Sequence, residues 1–127
     1  MKKLSLYVLR GGLAVSFIWI GYMITQSPAG WAKSIQPWAV NLLPVSPEAF
    51  MAVTGYMDMA IGVMLLINPL AWLGALLGTV HLSGVVLSIS SNGIIARDVG
   101  LLGAALALAI ETFPRDLADR FFHRISK

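Results

Sequence analysis

Six ionisable side chains fall inside long apolar stretches of this sequence. They are Arg10, Asp58, His81, Arg97, Asp98 and Glu111. Carboxylates and imidazoles accept and donate protons in general acid–base chemistry, and a guanidinium pairs with a carboxylate or with a polarised oxygen. Because a charge in apolar surroundings is costly unless it is paired, each of these groups is a candidate for function and needs a partner.

The composition places these six residues in a membrane. Of the 127 residues, 57% are hydrophobic and 12% are charged, whereas about a quarter of an ordinary soluble domain is charged. Four runs are long enough to cross a hydrocarbon core of about 30 Å, at 4–25, 49–67, 70–90 and 94–113. No run alternates apolar and polar residues as a strand would, and such runs in lipid satisfy their backbone as helices. We predict an all-α integral membrane four-helix bundle that forms a single domain, 1–127.

The distribution of positive charge predicts the orientation of the bundle. Basic residues precede the first helix and follow the fourth, at Lys2, Lys3, Arg115, Arg120, Arg124 and Lys127, and the first loop holds only Lys33. The positive-inside rule therefore places both termini in the cytoplasm and the protein in the cytoplasmic (inner) membrane. No basic stretch is interleaved with aromatic residues, so no nucleic-acid partner is expected. A secretory signal peptide is the alternative for the first run, but Arg10 interrupts it.

The connecting segments also carry signals. The loop 26–47 holds two tryptophans and four prolines, which predicts an ordered lid on the outer surface. The sequence "NPLAW" predicts a tight turn between helices two and three, and "SSNG" predicts the turn before helix four. The tail 114–127 is apolar on one side and basic on the other, which predicts an amphipathic helix lying on membrane lipids. A docking surface for a soluble partner is the alternative for the tail.

Small residues at helical spacing predict which face of each membrane helix is packed, because close approach replaces the hydrophobic effect in lipid. The predicted stripes are Arg10, Ala14, Phe17 and Gly21; Gly55, Asp58 and Gly62; Gly74, Gly78, His81, Val85 and Ser88; and Arg97, Gly100, Ala104, Ala107 and Glu111. Every ionisable residue of the spans except Asp98 falls on one of these stripes. We therefore expect these side chains to face the interior of the bundle.

Depth along each helix predicts the pairs. At a rise of about 1.5 Å per residue, Asp58 and His81 both reach the midplane, where they form a candidate proton or quinone site. Arg10 and Glu111 reach a similar level near the inner surface and form a predicted intramembrane ion pair, which is either functional or a structural clamp between helices one and four. A hydrogen-bonded core histidine is the alternative reading of His81.

Arg97 and Asp98 form a motif at the outer end of helix four. The alternative reading is that the carboxylate complements the dipole at the start of this helix while the arginine reaches the lipid headgroups. Cysteine is absent, so disulfides and cysteine-ligated clusters are excluded, and any redox role requires a cofactor or partner from elsewhere. We expect no haem, because one central histidine does not define an axial ligand site, and no metal site.

Three stretches resemble the DoxX-like family of small membrane proteins. They are "LRGGLAVSFIWIGYM", "GYMDMAIGVMLLINPLAWLGALLGTV" and "ARDVGLLGAALALAI". The resemblance implies a four-helix membrane bundle with a quinone-side or redox-stress role, since relatives include a membrane subunit of a quinone-linked oxidoreductase. Many relatives have a lysine near Met23 and Ile24, and a glutamate where Asp58 stands.

Three functions follow from these observations. The first is a quinone-side or redox-stress subunit or anchor, without independent catalysis, that works with a redox partner protein. The second is a small proton-coupled transporter or channel that acts as a homo-oligomer. The third is a purely structural membrane assembly protein.

Overall fold

The described residues, 2–127, form a helical bundle in this computed structural model. The elements are α1 (Lys3–Gln26), α2 (Pro28–Ala32), α3 (Pro37–Val40), α4 (Pro47–Leu66), a 3-10 turn (Asn68–Leu70), α5 (Ala71–Ser88), α6 (Asn92–Thr112) and α7 (Arg115–Ile125). Four segments are long and apolar enough to cross a membrane: α1, α4, α6, and α5 together with the 3-10 turn. The predicted all-α bundle of four membrane helices is confirmed, and its predicted bounds lie close to the observed ones.

Helix boundaries follow local signals in the sequence. Pro47 occupies the first turn of α4, where its missing N–H removes no hydrogen bond, and the Ser46 hydroxyl accepts a hydrogen bond from the Ala49 N–H at 3.2 Å. The predicted turn before α6 is shorter than expected. Asn92 is already helical, and the Ile95 N–H donates to the Ser91 carbonyl at 3.0 Å. The turn therefore ends at Ser91 rather than at Gly93.

The four long helices run alternately up and down. Gly21 of α1 lies against Gly55 of α4, and Gly62 of α4 lies against Ala14 of α1, so these two helices are antiparallel. We call the end of the bundle with the α1–α4 connection the lid end, and the end with both termini the terminal end. The α5–α6 turn lies at the lid end, and the α4–α5 turn lies at the terminal end.

Glycines bring α1 and α4 close together along most of their length. A Cβ atom added at Gly21 would lie 2.5 Å from the Gly55 carbonyl oxygen, and one added at Gly62 would lie 2.9 Å from the Ala14 carbonyl oxygen. Both distances are shorter than a van der Waals contact, so only glycine fits. This is the close backbone approach that small residues permit in membrane helices, and it confirms the predicted packing faces of these two helices.

The predicted packing face of α6 is wrong. Gly100 and Ala107 are exposed, whereas Asp98, Ala105 and Leu108 are buried. The helix turns a mixed face of large and small residues inward, because it packs chiefly on α5, where leucine side chains fill the space between the helices. The small residues on the buried face are Ala105 and Ala109, one turn apart, rather than the predicted Gly100 and Ala107.

Two apolar clusters form the core of the bundle. The terminal-side cluster joins all four long helices and includes Phe17, Ile61, Leu65, Leu82 and Leu108. The lid-side cluster lies at the other end and consists of Ile24, Ile35, Ala39, Met51 and Ile89. The two clusters do not merge, and the space between them forms the candidate site.

The α1–α4 connection is folded, and it is fixed to the α5–α6 turn. Ile35 and Ile89 form an antiparallel bridge, in which the Gln36 N–H donates to the Ser88 carbonyl at 2.9 Å and the Ser90 N–H donates to the Ser34 carbonyl at 2.8 Å. We call residues 28–40 the lid. The lid therefore closes one end of the bundle, as the prolines and tryptophans predicted.

The tail forms α7, an amphipathic helix. Leu117, Phe121, Phe122 and Ile125 remain exposed along it, and basic residues occupy other positions of the same helix. The predicted helix is confirmed, and its contact with membrane lipids stays a prediction.

We expect Gly21→Ala to destabilise the bundle, because its methyl group would push α4 away at a backbone–backbone contact. The loss should be about 1–3 kcal/mol, the usual cost of an overpacked core position. Gly12→Ala is the matched control, since it lies on the same helix with open space where its Cβ would be. Unfolding of both variants in detergent measures the effect, and equal stability of the two would contradict the proposed close contact.

Candidate functional site

A cavity of about 280 Å³ lies between the two apolar clusters. Apolar side chains from α1, the lid, α4, α5 and α6 form most of its wall. Four ionisable side chains also line it: Asp58, His81, Arg97 and Asp98. Four of the six ionisable residues singled out in the sequence thus meet in one place.

Asp58 and His81 approach each other across the α4–α5 interface, as predicted. The His81 Nε2 atom lies 2.8 Å from the Asp58 Oδ1 atom, and the two side chains are 12% and 7% exposed. Among residues 2–127, no N–H or O–H group points at Oδ1 in the direction that a hydrogen bond requires. The imidazole and the carboxylate nevertheless lie at the separation of an ion pair.

The packing of α4 on α5 sets this pair in place. Gly78, one turn before His81, lies against Phe17 and Ile61 of the terminal-side cluster. This contact holds α5 close to α4 just below the pair. The imidazole and the carboxylate therefore meet at the floor of the cavity, where the close packing ends.

Arg97 and Asp98 form a second pair in the wall of the cavity. The Arg97 Nε–H donates to the Asp98 Oδ1 at 2.8 Å, and the aspartate side chain is 3% exposed. The Arg97 guanidinium carbon also lies 5.8 Å from the centre of the Trp31 ring, within the range of a cation–π contact. The lid thus contributes a tryptophan to the site.

The position of Asp98 does not fit the helix-dipole reading of this motif. The helix dipole acts on side chains in the first turn, whereas α6 begins at Asn92 and Asp98 lies beyond that turn. Arg97 contacts Asp98 and Trp31, and its side chain is 36% exposed. Asp98 shares one face of the helix with Leu101, Ala105 and Leu108, and this spacing could have predicted its burial. The stripe of small residues on another face predicted a different orientation of α6.

Arg10 is buried, but its partners differ from the prediction. Its Nε–H donates to the Leu65 carbonyl at 3.0 Å, and its Nη1 donates to the Asn68 side-chain oxygen at 2.8 Å. Leu65 lies in the last turn of α4, where helix carbonyls lack partners within the helix. The guanidinium therefore caps the α4–α5 turn, and the ion pairs among residues 2–127 do not include Arg10 with Glu111.

Glu111 lies at the terminal end of α6 and has interactions of its own. It does not line the cavity. Counting residues from the helix ends placed Glu111 and Arg10 at the same depth in the membrane. The carbonyl of Leu65 and the amide of Asn68 nevertheless lie nearer to the guanidinium. These two residues belong to the terminal end of the bundle rather than to the candidate site.

The cavity combines an apolar wall with groups that exchange protons and donate hydrogen bonds. The Asp58 and His81 pair can hold or pass a proton, because the carboxylate stabilises an imidazolium. The Arg97 guanidinium has five N–H donors, more than its contact with Asp98 uses. Within residues 2–127, no group of three or more histidine, aspartate or glutamate residues is placed to hold a metal ion. The site suits a small ligand that is mostly apolar and has oxygen acceptors.

The fold and the cavity define a small multi-pass membrane protein with four spans. The family model for DoxX matches residues 5–91, which is more than half of the chain, and the chain belongs to the DoxX family. The matched range includes Asp58 and His81 and ends before Arg97 and Asp98. No curated protein and no solved structure matches the chain.

We expect a double-mutant cycle to show strong coupling between Asp58 and His81. His81→Leu should cost about 3 kcal/mol, because it leaves a buried carboxylate without its partner. Adding Asp58→Leu should recover most of that loss, since both polar groups are then gone. Unfolding of the two single variants and the double variant measures the coupling energy, and additive losses would show that the two groups do not interact.

Proposed function

We propose that this chain is a quinone-facing subunit or anchor of a redox assembly in the cytoplasmic (inner) membrane, and that its cavity binds the quinone ring. One observation carries the proposal: two acid-containing pairs, Asp58 with His81 and Arg97 with Asp98, line a single apolar cavity. Small-molecule sites combine apolar walls with a few polar groups that fix the orientation of the ligand. Membership of the DoxX family is consistent with a membrane subunit of this kind.

A quinone ring matches the chemistry of the cavity. The ring is flat and apolar, and its two carbonyl oxygens accept hydrogen bonds from opposite sides. His81 can donate to one oxygen, and Arg97 can donate to the other through an N–H that Asp98 does not occupy. Aromatic side chains, Phe17 and Trp31, lie in the wall and can pack on the ring.

The Asp58 and His81 pair supplies one proton in this proposal. Reduction of a quinone to a quinol takes up two electrons and two protons, and the protons end on the two ring oxygens. The imidazolium can pass one proton to the oxygen that it contacts, and the carboxylate stabilises that charged form. The second proton is taken from water that reaches the exposed side of Arg97, because a guanidinium keeps its own protons.

The electrons come from a partner protein in this proposal. The chain has no cysteine, so it holds no cysteine-ligated cluster and no redox-active thiol. A partner with a flavin or a metal centre is the donor class that the reaction requires. The basic, amphipathic α7 is a candidate contact with that partner or with lipid headgroups, and defence against redox stress is a cellular role that such an assembly serves.

Transport is the second candidate that the sequence left open. Transporter sites are commonly built where membrane helices are broken near the midplane. Helices α1, α5 and α6 contain no proline, and the single proline of α4 stands at its first residue. Continuous helices around the cavity favour a binding site over a transport path.

We expect the purified protein in lipid nanodiscs to bind a decyl-tailed benzoquinone. Asp58→Asn and His81→Ala should each weaken binding roughly tenfold to hundredfold, the value of a hydrogen bond to a charged group. Glu111→Gln is the control, since it removes a carboxylate outside the cavity and should leave the affinity unchanged. Calorimetry measures the binding, and an equal affinity in all four proteins would refute the proposal.

Liposomes that contain the purified protein separate this function from transport. We expect no proton flux driven by added solutes, because the proposed site exchanges protons only with its ligand. The same vesicles with Asp58→Asn are the control. A substrate-driven flux that disappears in Asp58→Asn would instead establish the transporter.

A further inference from the structure

The cavity is not enclosed on the side between α4 and α5. Gly74 and Gly78 keep these helices in contact near the terminal end, where Gly74 lies against Met64 and Leu65. Beyond His81, Gly84 lines the cavity and has open space where its Cβ would be. No side chain therefore fills the space next to α5 at this level.

Val80 of α5 lines the cavity and is also 67% exposed on the surface of the bundle. The cavity therefore lies next to the outer surface at this residue. Because α4 and α5 are both membrane spans, that surface contacts lipid chains rather than water.

A shallow groove of about 200 Å³ continues outward from the same point. Its walls are Met57 and Ile61 of α4 and Leu77, Val80 and His81 of α5. The groove and the cavity share Val80 and His81, so the two spaces adjoin at the floor of the site. Apart from the imidazole, the groove presents only hydrocarbon and the Met57 thioether.

The lid covers the cavity at one end of the bundle. The bridge between Ile35 and Ile89 fixes the lid to the α5–α6 turn, and both of these side chains line the cavity. Trp31 contacts Arg97 from the same side. Between α1 and α4, Gly21 and Gly55 bring the two backbones into contact. The side between α4 and α5 differs from these, because an apolar groove adjoins the cavity there.

We infer that the Met57–Leu77 groove holds the hydrocarbon tail of the ligand whose polar ring occupies the cavity, and that the ligand enters from the bilayer between α4 and α5. This inference rests on the proposed function, because it assigns the tail of the same ligand. The ligand class is a lipid-soluble ring with oxygen acceptors and one hydrocarbon chain. A polar solute without a hydrocarbon chain would leave this apolar, lipid-facing groove empty.

Position along the bundle agrees with this assignment. The groove begins beside His81, which lies near the middle of α5, so the tail leaves the protein close to the bilayer midplane. Hydrocarbon chains are abundant at that depth, and the tail exchanges one apolar surrounding for another. The groove therefore adds little affinity by itself. Its role is to let the hydrocarbon tail extend from the cavity into the bilayer while the ring is bound.

Leu77→Trp tests the groove, because the larger ring fills it from the α5 side. We expect the affinity for a decyl-tailed benzoquinone to fall tenfold or more, since the tail and the indole cannot share the space, whereas the tail-less benzoquinone should bind as before. Leu76→Trp is the matched control, since Leu76 is a neighbouring exposed leucine that does not line the groove. Met57→Trp, which fills the groove from α4, should behave like Leu77→Trp and replaces it if that variant does not fold.

The outcomes separate this inference from the proposed function. If Leu77→Trp and Met57→Trp bind the tailed quinone as tightly as the parent protein does, the groove is not the tail site, and the quinone site in the cavity still stands. If they lose both ligands equally, the substitutions disturb the cavity and the tail assignment is wrong. If the parent protein binds neither ligand, the proposed function fails, and this inference fails with it.

Discussion

The contact between the Asp58 carboxylate and the His81 imidazole is the interaction on which the centre of this bundle depends. In a soluble protein, water can solvate either group when their helices slide apart, but a bilayer offers no such substitute. The pair therefore fixes the register of α4 against α5 at the level where their close packing ends. A slip of one turn would leave a carboxylate facing hydrocarbon, which is the most costly outcome available to this chain.

The cavity follows from an uneven pattern of packing. Helices α1 and α4 touch along most of their length through glycines, and α6 packs chiefly on α5. These two helix pairs join in the terminal-side cluster, where large side chains interlock. Toward the lid end they separate, and the lid closes the space that remains. The polar residues line that space because it is the part of the bundle where packing does not exclude them.

Much of the fold was readable from the sequence, because span length and apolar composition leave few alternatives in a membrane. The packed faces of α1, α4 and α5 were also readable, because glycines such as Gly21 and Gly62 lie where the backbone of a neighbouring helix comes into contact. The face of α6 was not, because leucines and alanines occupy most positions in the second half of this helix, and their spacing does not distinguish the buried Ala105 and Ala109 from the exposed Ala107. Depth correctly paired Asp58 with His81, since both had to find a partner at the midplane.

The site as a whole could not be predicted, for a physical reason. Counting residues from a helix end gives the depth of a side chain on that helix alone. It places Arg97 and Asp98 at the outer end of helix four, but it cannot show that they share a cavity with Asp58 and His81. The sequence predicts that Trp31 lies in an ordered lid, but it cannot show that the indole ring lies over Arg97. It also predicts an acidic partner for Arg10, whereas the guanidinium donates to a carbonyl at the end of α4 that lacks a partner within its helix.

The backbone bridge between the lid and the α5–α6 turn constrains how the bundle can move. It ties together two connections that are far apart in the sequence, through hydrogen bonds from Gln36 to Ser88 and from Ser90 to Ser34. With one end of α5 fixed to the lid and the other packed in the terminal-side cluster, this helix is held at both ends. We therefore expect its motion to be a bending near its middle, in the plane of the membrane.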